Sequence, residues 1–200
     1  VHYNSKDEPD GYLTDSTRNR EVNEPGPNQQ LEIDDLVYLD MNGYRGLWDF
    51  VRGHDLVGQV VWSPPEDDPL PTLLLEPRIL QRRTGDGIWL RIVDAAATLT
   101  GRGYDHAGSA TIEIKEDPEC PWNVGRYSFE TDGVQAEATP TQSDAEITIS
   151  PNGLAALLSG HSTLSHLSRI GRAEVSDASR LPVFDALFST RYRPTIMNGF

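Results

Sequence analysis

The residues with the best claim to chemistry are few, and each has a plain alternative. Arg82-Arg83-Thr84-Gly85-Asp86-Gly87 has the Arg-x-x-Gly-x-Gly spacing of a pyrophosphate-cradling loop. Such a loop works when its backbone N–H groups and the start of a following helix face the phosphates. Here Ile88–Val93 follows, and its alternation predicts a strand, so Gly85-Asp86-Gly87 reads as a turn. Gly160-His161-Ser162 hints at a nucleophile elbow, but Leu164 stands where the second glycine is needed, and an N-cap serine before the next helix is the better reading. His2, His54, His106, His161 and His166 lack metal-ligand spacing with a cysteine or carboxylate. Glu66-Asp67-Asp68 lacks the calcium-loop pattern and reads as a solvated turn before Pro69. Cys120-Pro121-Trp122-Asn123 lies between predicted strands, and the expectation is a packed cysteine beside a buried tryptophan.

The elements that would position these residues follow from periodicity. Residues 1–30 are polar and rich in Asp, Glu, Asn and Pro, which predicts loop or disorder with a short strand near Gly11–Thr14. Leu31–Leu39 predicts a strand. Asp40 or Asn42 then caps a helix whose Tyr44, Leu47, Trp48 and Val51 share one face. Leu56–Trp62 predicts a strand, and Leu70–Leu75 a short helix ending before Pro77. In the second half, Asp94 caps a helix over Ala95–Thr100, and strands are predicted at Ala110–Lys115, Arg126–Thr131, Val134–Ala138 and Ala145–Ile149. Asp132-Gly133 predicts a two-residue hairpin. Helices follow at Ser150–Gly160, Thr163–Ile170 and Ser179–Thr190, with Pro151 and Pro182 in first turns. Strands followed by clustered helices make the fold class α+β: a mixed or antiparallel sheet with packed helices.

Composition narrows the functions. The 200-residue chain has a formal net charge of −14 and a sequence pI of about 4.6. Such a surface repels nucleic-acid phosphates and anionic lipid. Lysine occurs only at Lys6 and Lys115. An ordinary acidic protein or a halophilic one, whose high-salt surroundings screen carboxylate repulsion, both fit. No apolar run approaches a membrane span. A single cysteine fits a reducing, cytoplasmic location.

Several segments, in this order, resemble one family. They are Tyr44-Arg45-Gly46-Leu47-Trp48-Asp49-Phe50, Asp55-Leu56-Val57, Asp67-Asp68-Pro69-Leu70 and Glu76-Pro77-Arg78. Then come Gly87-Ile88-Trp89-Leu90-Arg91-Ile92-Val93-Asp94 and Cys120-Pro121-Trp122-Asn123-Val124-Gly125-Arg126-Tyr127. Together they resemble the GNAT N-acetyltransferases of the enhanced intracellular survival type, which acetylate aminoglycosides and related amines. The likeness spans most of residues 31–200.

The resemblance implies that residues 1–82 are part of a degenerate second GNAT-like domain and residues 83–200 a sterol carrier protein-like domain. It implies that acetyl-CoA is bound by an upstream GNAT domain not contained in this chain, so that the fragment alone is inactive. It implies an amine substrate and a homo-oligomeric parent. The general base of the family is the free C-terminal carboxylate, here that of Phe200. An α-carboxyl group has an ordinary pKa of about 3.3–3.7, and burial beside apolar groups would raise it and improve it as a base. The approach to Phe200 departs from the family: Thr195-Ile196 follow Pro194 where the family carries Trp-Cys. An apolar-ligand binding module and a purely structural oligomerisation domain are the alternatives.

Overall fold

The computed structural model describes residues 1–21, 26–85 and 87–196. They form two compact units, Val1–Pro64 and Pro65–Ile196, each α+β as expected.

In the first unit β1 (His2–Tyr3), β2 (Pro9–Asn19), β3 (Gln29–Tyr38) and β4 (Val57–Trp62) lie side by side in chain order. The first three are antiparallel, and β3 and β4 are parallel, joined by helix α1 (Met41–Arg52) as the crossover a parallel pair needs. Asp40 starts α1: its Oδ1 accepts the N–H groups of Asn42 (2.8 Å) and Gly43 (3.0 Å). Tyr44, Leu47 and Val51 are buried. Val51 joins Leu31 and Ile33 of β3 in a core flanked by Trp48 and Trp62, whose rings meet edge to face at 5.5 Å. Full burial of a side chain such as Leu31 stabilises by about 2 kcal/mol. Gly43 marks a close approach: a Cβ there would run into the carbonyl oxygen of Asp10 on β2.

The expectation of loop or disorder over residues 1–30 is corrected for the described part. β2 is an 11-residue strand paired with β3 from Gly11–Tyr38 to Asn19–Gln29. Its side chains are mostly exposed, so hydrophobicity carries little of the signal. Main-chain pairing with β3 supplies the order, and that pairing is indifferent to side-chain polarity.

The second unit holds the sheet order β7-β6-β5-β8-β9, with β5 Gly108–Ile114, β6 Gly125–Thr131, β7 Ala136–Pro140, β8 Ile147–Ile149 and β9 Ala173–Val175. β5 and β8 are parallel; the other pairs are antiparallel. The helices are α2 (Leu70–Leu73), α3 (Ala95–Gly101), α4 (Pro151–Leu158), α5 (Leu164–Arg169) and α6 (Leu181–Leu187). Side chains cap three of them: Asp94 to the N–H of Ala97, Ser150 to that of Gly153 and Thr163 to that of His166. Leu99, Ile112, Phe129, Ile147, Leu154 and Phe184 lie at the centre of one continuous core. Among the described residues no helix is long and apolar enough to cross a membrane.

Three further expectations are corrected. Ile88–Val93 forms no strand, and Trp89 is 85% exposed. Alternation makes a strand only where a ladder partner exists; here the polar groups of the segment bond to the Asp117–Asn123 loop instead. The hairpin at Asp132-Gly133 has four connecting residues, because Asp132 Oδ1 accepts the N–H groups of both Val134 (2.8 Å) and Gln135 (2.7 Å) and delays the return strand to Ala136. The last helix starts at Leu181 after a 3₁₀ turn at Ala178–Arg180, and β9, only three residues long, carries too little pattern to be predicted.

Candidate functional site

Phe200, the residue expected to supply the general base, lies outside the described residues. The chain leading to it is described as far as Ile196 and remains on the second unit. Beyond α6, Arg102 Nη2 donates to the carbonyl oxygens of Phe188 (2.8 Å) and Ser189 (2.9 Å). Arg193 donates its backbone N–H to Asp67 Oδ2 (3.4 Å) and its guanidinium Nη1 to the His161 carbonyl oxygen (3.1 Å). Asp67, read from sequence as a solvated loop carboxylate, is therefore also a tail contact. Sequence reading missed this because the partners are 126 residues apart.

The most interconnected polar cluster is a clamp between the segment before α3 and the loop before β6. Asp117 is buried. Its Oδ1 accepts the Cys120 N–H (3.0 Å) and pairs with the Arg91 guanidinium, and its Oδ2 accepts the Asn123 amide (3.3 Å). Burial alone would push the Asp117 carboxyl up, but the Cys120 N–H, the Asn123 amide and the Arg91 cation hold it below the ordinary carboxylate range. Asn123 also accepts the first helical N–H of α3, from Ala95 (2.9 Å), and donates to the Ile92 carbonyl (3.3 Å). Its own carbonyl accepts the Tyr127 hydroxyl (2.9 Å). Hydrogen bonding on this scale makes the cluster a fastener rather than a reactive centre. Cys120 is buried as expected, but Trp122 is not: it is 64% exposed, with its indole N–H donating to the Val93 carbonyl (2.7 Å). The length of the Cys120–Tyr127 motif thus serves to fasten α3 to β6.

Among the described residues, three candidate places for a diphosphate, the segment after Arg82–Gly87 and the N-termini of α1 and α3, do not fit one. No helix follows Arg82–Gly87 to turn N–H groups onto a diphosphate. The N-terminus of α1 is filled by the Asp40 carboxylate and that of α3 by Asp94, and a carboxylate there excludes a phosphate by charge as well as by occupancy. Among the described residues, no three His, Cys, Asp or Glu side chains come together to hold a metal. His2 Nδ1 instead lies 2.5 Å from Asp10 Oδ1, and His54 Nδ1 lies 3.1 Å from the Phe50 carbonyl oxygen.

Aromatic side chains pack together in the core of the second unit. Phe129 is fully buried and packs on Tyr104 and Phe188 at centroid distances of 5.0 and 5.7 Å. An open groove runs outside, between the start of β5 and α6, with His106, Ser109, Arg180 and Val183 among its lining.

Two family models match the chain, and their boundary at residues 92–95 lies inside the second compact unit rather than at Pro64. Residues 1–92 match the Acetyltransferase (GNAT) domain family, and residues 95–197 match the Sterol carrier protein domain family. An uncharacterized N-acetyltransferase of Streptomyces griseus is 28% identical over 197 residues, covering 97% of this chain and 47% of that protein. N-acetyltransferase Eis of Mycobacterium tuberculosis is 30% identical over 163 residues, covering 79% of this chain and 39% of that protein. The crystal structure of Eis1 from Mycobacterium abscessus superposes with a TM-score of 0.77 at 30% identity, covering 96% of this chain and 49% of that one. The chain spans less than half the length of the curated relatives it matches. With an α+β sheet-and-helix unit following a smaller sheet unit along the chain, and with both matches in that order, the chain belongs to the sterol carrier protein domain family, here following a GNAT acetyltransferase domain in sequence.

Proposed function

We propose that this chain is the C-terminal region of an acetyl-CoA-dependent amine N-acetyltransferase of the enhanced intracellular survival type. It acts in the cytoplasm on aminoglycoside-like or lysine-like amines. Residues 1–82 serve as a GNAT-like domain that does not hold acetyl-CoA, and residues 83–200 as a sterol carrier protein-like domain. Acetyl-CoA is held by a GNAT domain upstream, and the isolated chain is inactive. The terminal carboxylate of Phe200 takes the proton from the substrate ammonium, leaving the nitrogen lone pair free to attack. The parent is a homo-oligomer, and both domains also act as its scaffold.

The observation that carries this reading is the paired match, a GNAT domain followed by a sterol carrier protein domain; the N-termini of α1 and α3 are occupied by the Asp40 and Asp94 carboxylates. The test uses the full-length protein. Amine acetylation is measured with the free C-terminus and with Phe200 extended by a short tag. Loss of turnover with retained acetyl-CoA binding is expected. Equal turnover with the tag would remove the carboxylate from the mechanism, and absence of amine acetylation from both forms would remove the activity.

A further inference from the structure

The chain beyond α6 is held at successive points, all on the second unit. The guanidinium of Arg102 closes the end of α6 by binding the Phe188 and Ser189 carbonyls, where the unpaired carbonyls of a helix concentrate negative charge. Next, the Thr190 side chain occupies the space a Cβ of Gly160 would fill, and Gly160 holds φ +78°, which a residue with a side chain adopts only with strain. Arg193 follows with its two ties, to Asp67 through the backbone and to the His161 carbonyl through the guanidinium. Finally Ile196 packs on Gly87, where an added Cβ would come within 3.2 Å of its Cγ2. Gly87 belongs to the run whose spacing resembles a phosphate loop. Its missing side chain here makes room for the protein's own C-terminal segment.

We propose that Asp67, Gly87, Gly160 and Arg193 form a seat for the C-terminal segment, with Arg193 as its positioning residue. The purpose assigned to the seat rests on the Phe200 carboxylate being the general base; its geometry does not. Three residues separate Ile196 from Phe200 in sequence. A chain extends at most ~3.3–3.6 Å per residue, so holding Ile196 in place limits the reach of the few residues that follow it in sequence. A general base must come within hydrogen-bond reach of the proton it takes, and a misplacement of ~1 Å can cost about a hundredfold in rate. Loosening the seat enlarges the volume the carboxylate samples. It therefore lowers kcat while leaving KM to contacts made elsewhere.

The experiment compares full-length protein with its Arg193→Ala, Asp67→Ala and Arg193→Lys variants. Hydrogen–deuterium exchange is followed on the peptide covering residues 189–196, and steady-state kinetics are measured in parallel. Both alanine variants are expected to exchange about threefold to tenfold faster over this peptide, the effect of losing one hydrogen bond. Their kcat is expected to fall about tenfold with KM within about twofold. Lysine at 193 can still reach the His161 carbonyl and should restore most of both. Unchanged exchange in both alanine variants overturns the seat. Faster exchange with unchanged kcat leaves the seat standing and overturns the carboxylate as base. Both substitutions are on the exposed surface, and matching thermal unfolding curves establish that the variants are folded.

Discussion

The Asn123 side chain donates to the buried carboxylate of Asp117, 3.3 Å away, while its own oxygen accepts the opening N–H of α3 from Ala95 at 2.9 Å. One amide thus joins a loop, a helix start and an ion pair. Replacing it removes a partner from several buried groups at once, each of which then bears a desolvation cost of about 1–3 kcal/mol unless water enters.

Asn123→Ala should therefore destabilise the second unit by about 3 kcal/mol. Asn123→Asp is nearly isosteric but sets a second carboxylate against Asp117, and it should be at least as damaging. Urea unfolding followed by the fluorescence of the tryptophans beside the clamp would measure both. A loss below about 0.5 kcal/mol for the alanine variant would mean that the clamp is not what fastens α3.

The same clamp sets a pH dependence. The folded Asp117 carboxyl titrates below its unfolded value of about 3.9. Its contribution to stability is therefore present above that pH and is lost as pH falls through the lower folded value. Glu113, Asp132 and Asp177 are shifted in the same direction and add to the acid limb. Asp117→Asn should be less stable at pH 7 and should lose less of what remains on going from pH 5 to pH 2. Parallel acid-unfolding curves for the two proteins would show that Asp117 takes no part.

How much of this was legible beforehand depends on where the information lies. The α1 helix was readable because its cap, apolar face and end lie within fourteen residues, Asp40 to Gly53. β2 was not, because its order comes from β3 rather than from its own exposed side chains. Ile88–Val93 was misread for the opposite reason: its alternation is genuine, but Asn123 and Asp117, 26 to 31 residues on, draw the segment into a loop. The Cys120–Tyr127 motif was visible as a family mark, yet its work as a fastener depends on those same distant partners. The Arg193–Asp67 tie spans 126 residues and left no local trace.

In the first unit, Gly43 offers a test of packing between helix and strand. A methyl group at this position meets the Asp10 carbonyl, a backbone atom that cannot rotate away. Although alanine is the better helix former, Gly43→Ala should cost about 1–3 kcal/mol through displacement of α1 from β2. Thermal unfolding of the variant would measure it. A gain in stability would mean that helix propensity outweighs the contact and that α1 can shift freely.

An apolar-ligand carrier and a positioning domain differ in what the core of the second unit admits. Phe129 is fully buried and is flanked by Tyr104 and Phe188. A fluorescent fatty acid should therefore not be taken up by the wild-type chain. Phe129→Ala should cost about 3–5 kcal/mol and open an apolar void of the kind that stays dry and admits small apolar molecules. Uptake of benzene-sized probes by the variant, and not by the wild type, would show that a cavity can be made in this unit but that the native side chains fill it. Saturable uptake of a long-chain probe by the wild type would reverse the conclusion. The sheet and helices would then have to part around Phe129, and the sterol carrier protein domain would have a ligand of its own.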